Sequence, residues 1–68
     1  MNIKPLQPHQ QRVVQERDDL QERTTKLDAF IQSPLFKTVD PAEQTRLGRQ
    51  SALMHDLLLL LNERIAVF

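Results

Sequence analysis

The chain of 68 residues has no cysteine, no tryptophan, no tyrosine and a single glycine. Without cysteine it cannot form a disulfide, and it lacks the commonest ligands of a structural zinc site. A chain this short buries a small fraction of its surface when it folds alone, and disulfides, metals and oligomerisation are the usual remedies. Association with other chains is therefore the remedy that the composition leaves open.

An excess of one charge is absent too, because nine Lys and Arg residues balance nine Asp and Glu residues. The balance holds in both halves of the chain, with five of each sign through Gln32 and four of each sign after it. Nucleic acids and anionic membrane surfaces favour proteins with a basic patch or tail. The composition therefore argues against a nucleic-acid partner.

Long apolar segments are also missing. The first ten residues, MNIKPLQPHQ, have no apolar core of the kind found in a signal peptide. The longest apolar run is the five leucines from Leu57 to Leu61, whereas a helix that spans a bilayer needs about 20 apolar residues. We therefore expect a cytoplasmic protein with no membrane partner.

What the chain does contain is a pattern typical of helices. Leu, Gln and Arg are abundant, and no segment alternates polar and apolar residues as a strand does. The pattern predicts helix one from about residue 8 to 32, a turn from 33 to 40 and helix two from about 41 to 67. Because the connection is short, we predict an all-α, antiparallel two-helix hairpin that forms a single domain.

The predicted turn carries the signals that start a second helix. Asp40 is suited to the N-cap and Pro41 to the first helical position, while Glu43 stands where it could complete a capping box. Leu35 and Phe36 are expected to plug the end of the core.

The two predicted helices carry matching apolar stripes. The stripe of helix one is narrow and consists of Val13, Leu20, Leu27 and Ile31. The stripe of helix two is centred on Leu47, Leu58, Leu61 and Ile65.

Two polar residues, Arg17 and Thr24, lie along the apolar stripe of helix one. Polar residues at such a seam can fix its register, but Arg17 could instead lay its stem along the leucines and keep its head in water.

Helix two has a second apolar face that helix one is too narrow to cover. Its members lie about 80° to 160° from the hairpin stripe and are Leu53, Leu57, Leu60 and Val67. Each large apolar side chain left in water forgoes about 1.5–3 kcal/mol. We therefore predict a homodimer in which these residues pack against a second copy, giving a four-helix bundle. The alternative is that Ile3, Pro5 and Leu6 fold over them.

A further strip of helix two holds mostly small residues. Gly48 on this strip either permits the close approach of another helix or is a tolerated surface glycine. Leu59 shares the strip and has no expected role in folding. It is therefore a candidate for contact with a partner.

No group of residues indicates catalysis or metal binding. His9 and His55 are the only histidines, and they lie on different predicted helices. The chain contains no H-E-x-x-H motif, no nucleophile motif and no phosphate-binding glycine loop. We expect a protein that is not an enzyme and has no cofactor.

The outer face of helix one is densely charged, and its i,i+4 pairs are typical of a solvated helix face. The same face could also meet a partner. Its candidate contact residues are Arg12, Arg23 and Lys26.

Four segments together resemble a group of short proteins encoded by tailed phages and prophages. These segments are HQQRVVQERDDLQERTTKLDAFI, SPLF, RLGRQSALM and LNERIAVF. The resemblance covers nearly the whole chain, and its motifs lie mostly at helix-packing positions. Small phage hairpins of this kind include anti-activators that bind host transcription regulators, such as quorum-sensing activators. The resemblance implies a host-directed binding protein in the bacterial cytoplasm and carries over no functional residue.

These observations favour a homodimeric phage or prophage protein that inhibits or redirects a host protein. A second hypothesis is a regulator that binds nucleic acid or nucleotides through Arg12, Arg23, Lys26 and Arg46. A third is a component of virion assembly.

Overall fold

A computed structural model describes residues 5–68 of the chain. Helix α1 spans Pro8–Ile31 and helix α2 spans Pro41–Ala66, and a short 3₁₀ helix at Pro34–Thr38 lies between them. The two long helices pack against each other as a hairpin, and residues 5–68 contain no strand. The predicted all-α hairpin is therefore confirmed.

The core is the seam between α1 and α2. Within residues 5–68 the buried apolar side chains are Val13, Leu20, Leu58 and Leu61. Met54 and Ile65 are partly buried against them. The hairpin measures 53 × 17 × 16 Å, which is only one pair of helices thick. Within residues 5–68 each long helix therefore buries one face and leaves its other faces open.

Both polar residues on the seam have hydrogen-bond partners. Thr24 is 0% exposed, and its Oγ1 donates to the Leu20 carbonyl oxygen at 2.7 Å, so its hydroxyl is satisfied within α1. Arg17 lies at the edge of the seam, where Nη1 donates to Asn62 Oδ1 at 2.7 Å and Nε donates to Asp18 at 2.8 Å. Arg17 thus connects the two helices instead of only covering the leucines with its stem.

The start of α2 differs in one detail from the prediction. Asp40 caps the helix as predicted, since its carboxylate accepts a hydrogen bond from the Ala42 backbone N–H at 3.1 Å. The predicted capping box is wrong, because Glu43 accepts from Arg46 Nε at 2.8 Å. A cation three residues along the helix is within reach of this carboxylate, so Glu43 pairs with it.

The connection closes one end of the hairpin with a single aromatic side chain. The Phe36 ring packs edge-on against Phe30, with 6.0 Å between the ring centroids. Leu35 is 66% exposed, so the prediction that it plugs the core is wrong. Successive residues of a 3₁₀ helix point about 120° apart, and only one of these two side chains can face the hairpin. Gln44 Nε2 donates to the carbonyl oxygens of Phe36 and Val39, which ties the connection to α2.

Replacement of the most buried leucine should test the seam. Leu61 is 1% exposed, and we expect Leu61→Ala to lower the free energy of unfolding by about 2–5 kcal/mol. Leu59→Ala is the matched control, because Leu59 is 62% exposed and its loss should change stability by less than about 0.5 kcal/mol. Urea denaturation followed by circular dichroism, at one protein concentration, measures both. Equal destabilisation by the two variants would contradict this description of the core.

Candidate binding surface

The second apolar face of α2 is open in the hairpin. All four residues predicted for the dimer interface are exposed: Leu53, Leu57, Leu60 and Val67. The exposed fraction rises to 65% at Leu53 and 84% at Val67. Leu58 and Leu61, on the same helix, face α1 and are buried. The run of leucines is therefore divided between the hairpin core and the solvent.

The N-terminal segment does not cover this face with the residues that the structure describes. Pro5 and Leu6 are themselves exposed, and Leu6 is 38% exposed. Ile3, the third residue of the alternative prediction, lies outside the described residues. The residues that the structure describes thus leave this face open.

A shallow apolar groove of about 330 Å³ runs along this side of α2. Its lining residues are Arg46, Arg49, Gln50, Leu53, Met54 and Leu57. Leu53 and Leu57 line the groove toward the middle of the helix, and the two arginines line the end nearer the connection. The groove therefore offers apolar surface with positive charge at one end.

The cations predicted for partner contact lie on one face of α1. Helical geometry places Arg12, Arg23 and Lys26 within about 60° of one another, and all three are exposed. Lys26 Nζ pairs with Glu22 at 3.0 Å. Arg12 and Arg23 form no ion pair within residues 5–68. Their guanidinium groups are therefore the charges that this face can offer to a ligand.

Leu59 lies on the other side of the hairpin. His55 contacts Asp28 along one edge of the two helices, and Leu59 follows His55 by one turn, about 40° away around α2. Arg12 and Arg23 lie about 140° or more from Asp28 around α1. The structure therefore does not bring Leu59 together with the predicted cationic contacts.

Gly48 has open space in the single chain. It is exposed, and a Cβ added at this position would meet no atom within 4 Å. No helix of the same chain therefore needs the glycine for close approach.

A polar cluster between the helices was missed by sequence reasoning. Ser51 Oγ donates to Asp28 Oδ1 at 2.5 Å, and His55 Nε2 lies 2.7 Å from Asp28 Oδ2. The bond from Ser51, and secondarily the bond from His55, hold the pKa of Asp28 below its usual 3.8. Ser51 and His55 are one turn apart on α2, and that spacing, opposite an acid on α1, is the signal that could have revealed the cluster.

The cluster resembles the composition of a hydrolase triad but not its arrangement. In such a triad the histidine stands between the serine and the acid, so that it can take the serine proton. Here Asp28 stands in the middle, and both Ser51 and His55 bond to it. Its geometry is suited to joining α1 to α2.

Two other kinds of feature are absent from residues 5–68. That part of the chain holds no group of three or more His, Asp or Glu side chains that could bind a metal ion. Neither of its long helices has the length and apolarity needed to cross a membrane.

The family of the chain follows from a match to one family model, Sequestin, over residues 7–67. The chain belongs to the Sequestin family. The match includes both long helices and the connection between them, so it covers the groove, the cationic face and the polar cluster alike. The name Sequestin suggests a protein that sequesters a partner. No curated protein and no solved structure matches the chain.

The stability contribution of Asp28 should depend on pH. A carboxyl whose pKa is lowered by folding stabilises the protein above its unfolded pKa, and the effect is lost as pH falls through the folded pKa. We therefore expect Asp28→Asn to lower the melting temperature at pH 6–7 and to have little effect near pH 2. Thermal unfolding of both proteins across this range measures the difference. Asp19→Asn is the control, because Asp19 is exposed and its carboxylate accepts a hydrogen bond from Gln15 of the same helix. A difference that is independent of pH would contradict the role of the carboxylate.

Proposed function

We propose that the chain is a non-enzymatic, homodimeric hairpin that sequesters a protein of the bacterial host of a phage or prophage. The exposed apolar face of α2 carries the proposal, since a Sequestin protein with this surface has the means to associate. The resemblance to short phage proteins supports the phage origin. It also supports a transcription regulator, such as a quorum-sensing activator, as the class of target.

The homodimer rests on the energetics of the open face. Leu53, Leu57 and Leu60 are at least 40% exposed in the single chain. Each buried large apolar side chain contributes about 1.5–3 kcal/mol, which is large beside the 5–15 kcal/mol that stabilise ordinary domains. A second copy carries the same face, so packing two copies together gives a four-helix bundle with α1 on the outside.

The proposed surface for the host protein consists of residues that such a bundle leaves exposed to solvent. Arg12 and Arg23 lie on α1 and form no ion pair within residues 5–68. A partner with a complementary acidic surface would steer toward these cations and pair with them. Leu59 is 62% exposed and belongs to neither the core nor the dimer face, so it is available for a second contact. The bacterial cytoplasm is the compartment in which such a target would be met.

Nucleotide or nucleic-acid binding is the second candidate, and one observation favours it. Arg12, Arg23 and Lys26 share a face of α1. Arg23 and Lys26 line a shallow depression of about 440 Å³ together with Asp19 and Glu22. A phosphate could bind between the two cations. The two carboxylates in the same depression, and the lack of Trp and Tyr for base stacking, weigh against this candidate.

Substitutions on the open face should separate association from folding. We expect the wild-type protein to have twice the mass of one chain by light scattering at micromolar concentration. Leu57→Glu and Leu60→Glu should give monomers, because each buries a charge in the interface. Leu59→Glu is the matched control and should leave the mass unchanged. A monomeric wild type that is indifferent to all three substitutions would contradict the homodimer.

Substitutions on the cationic face should identify the class of partner. Tagged protein should capture a host protein from bacterial lysate, read by mass spectrometry, and Arg12→Glu or Arg23→Glu should reduce capture about tenfold or more. Lys37→Glu makes the same change in charge on the 3₁₀ helix and is the control. A loss equal to that of the control would contradict the proposed surface.

The same variants distinguish the second candidate. A labelled single-stranded oligonucleotide or a nucleoside triphosphate that binds wild type at physiological salt, and not Arg23→Glu, would replace the protein partner with a nucleotide ligand. Such binding should weaken as salt is raised.

A further inference from the structure

The open face of α2 contains a row of residues spaced by seven. Its members are Arg46, Leu53, Leu60 and Val67. A spacing of seven keeps side chains on one side of a helix with a drift of about 20° per repeat. All four are exposed, and the row is symmetric about a point between Asp56 and Leu57. A row with this symmetry can pair with a reversed copy of itself.

We propose that two copies pair in antiparallel orientation through α2, about a two-fold axis that crosses the helices between Asp56 and Leu57. This inference rests on the proposed homodimer and specifies its orientation and register. Leu53 of each copy then faces Leu60 of the other. Leu57 meets its own counterpart near the axis, and the apolar groove of each copy receives the C-terminal half of the other α2.

Charges beside the row support this register. Arg49, Asp56 and Glu63 follow one flank of the row at the same spacing of seven, and all three are exposed. In an antiparallel two-fold pair each flank faces its own counterpart in reverse order, so Arg49 lies opposite Glu63 of the second copy with an offset of one residue, about 1.5 Å along the helix. The pairing occurs twice. Arg49 and Glu63 have no ion-pair partner within residues 5–68 of their own chain.

A parallel pair of the same helices is disfavoured by the same charges. It would place every residue opposite its own counterpart, so Arg46, Arg49 and Glu63 would each meet a like charge. The antiparallel pair keeps one such contact on this flank, between the two Asp56 side chains near the axis. Electrostatic complementarity therefore selects the antiparallel orientation, while the leucines supply the apolar contact.

A charge exchange tests the register. Arg49→Glu and Glu63→Arg, each alone, should raise the dimer dissociation constant about tenfold at low salt, because both ion pairs become like-charge contacts. The double variant should return to within about threefold of wild type. Arg23→Glu makes the same change in charge on α1 and should have no effect. Asp56→Asn should tighten the dimer. Sedimentation equilibrium measures all five, and circular dichroism confirms that each is folded.

Single cysteines give a second, independent test, because the chain has none of its own. A mixture of Leu53→Cys and Leu60→Cys chains should form the mixed disulfide under mild oxidation. The antiparallel register brings these two positions together and separates the two copies of residue 53 by about 10 Å along the axis. A parallel pair would give the 53–53 and 60–60 disulfides instead.

The outcomes separate the register from the homodimer. A dimeric wild type in which the double charge variant is not rescued and the mixed disulfide does not form would overturn the antiparallel register and leave the homodimer standing. A wild type that is monomeric at every concentration tested would overturn both.

Discussion

The whole structure depends on one seam, because two helices can bury only the faces that they turn toward each other. Leu58 and Leu61 of α2 are placed in that seam against Leu20 of α1. The part of the chain that the structure describes has no third layer to cover the remaining faces of this hairpin, which is 16 Å thick in its narrowest direction. The exposed leucines of α2 are therefore a consequence of the architecture, and the proposed association would bury them.

The two edges of the hairpin are chemically different. One edge joins the helices through polar contacts: Asp28 bonds to Ser51 and His55, and Arg17 bonds to Asn62. The other edge carries the apolar groove of α2. Polar contacts that cross between helices fix their register, whereas an apolar groove is favourable only when something fills it. The hairpin thus holds its own shape along one edge and is open to association along the other.

Membership of the Sequestin family agrees with this division. A protein that sequesters a partner needs a binding surface, and the open edge of the hairpin offers an exposed apolar one. The cluster of Ser51, His55 and Asp28 joins α1 to α2, with the aspartate in the central position. In the proposed bundle, self-association would use α2 and leave the outer face of α1 for the ligand, so one small chain could supply both surfaces.

Helical periodicity and capping residues were enough to predict the hairpin. Asp40 and the stripe around Leu61 behave as those local rules require. Local rules failed at Glu43, because its carboxylate pairs with Arg46 and does not form the predicted capping box. They failed at Leu35 because the direction of the 3₁₀ turn leaves its side chain exposed. The Asp28 cluster escaped prediction because its members are 23 and 27 residues apart and meet only in one register of the hairpin.

The sequence by itself determined that this chain forms two amphipathic helices with a surplus of apolar residues, because spacing along a helix sets the angle of every side chain. Only the tertiary structure decided which of these side chains face the other helix and are buried. Contact between α1 and α2 buried Leu58 and Leu61, left Leu57 and Leu60 open, and drew Asp28 to Ser51. Those outcomes depend on the rotation and register of one helix against the other. The residue spacing within either helix does not specify this rotation or this register.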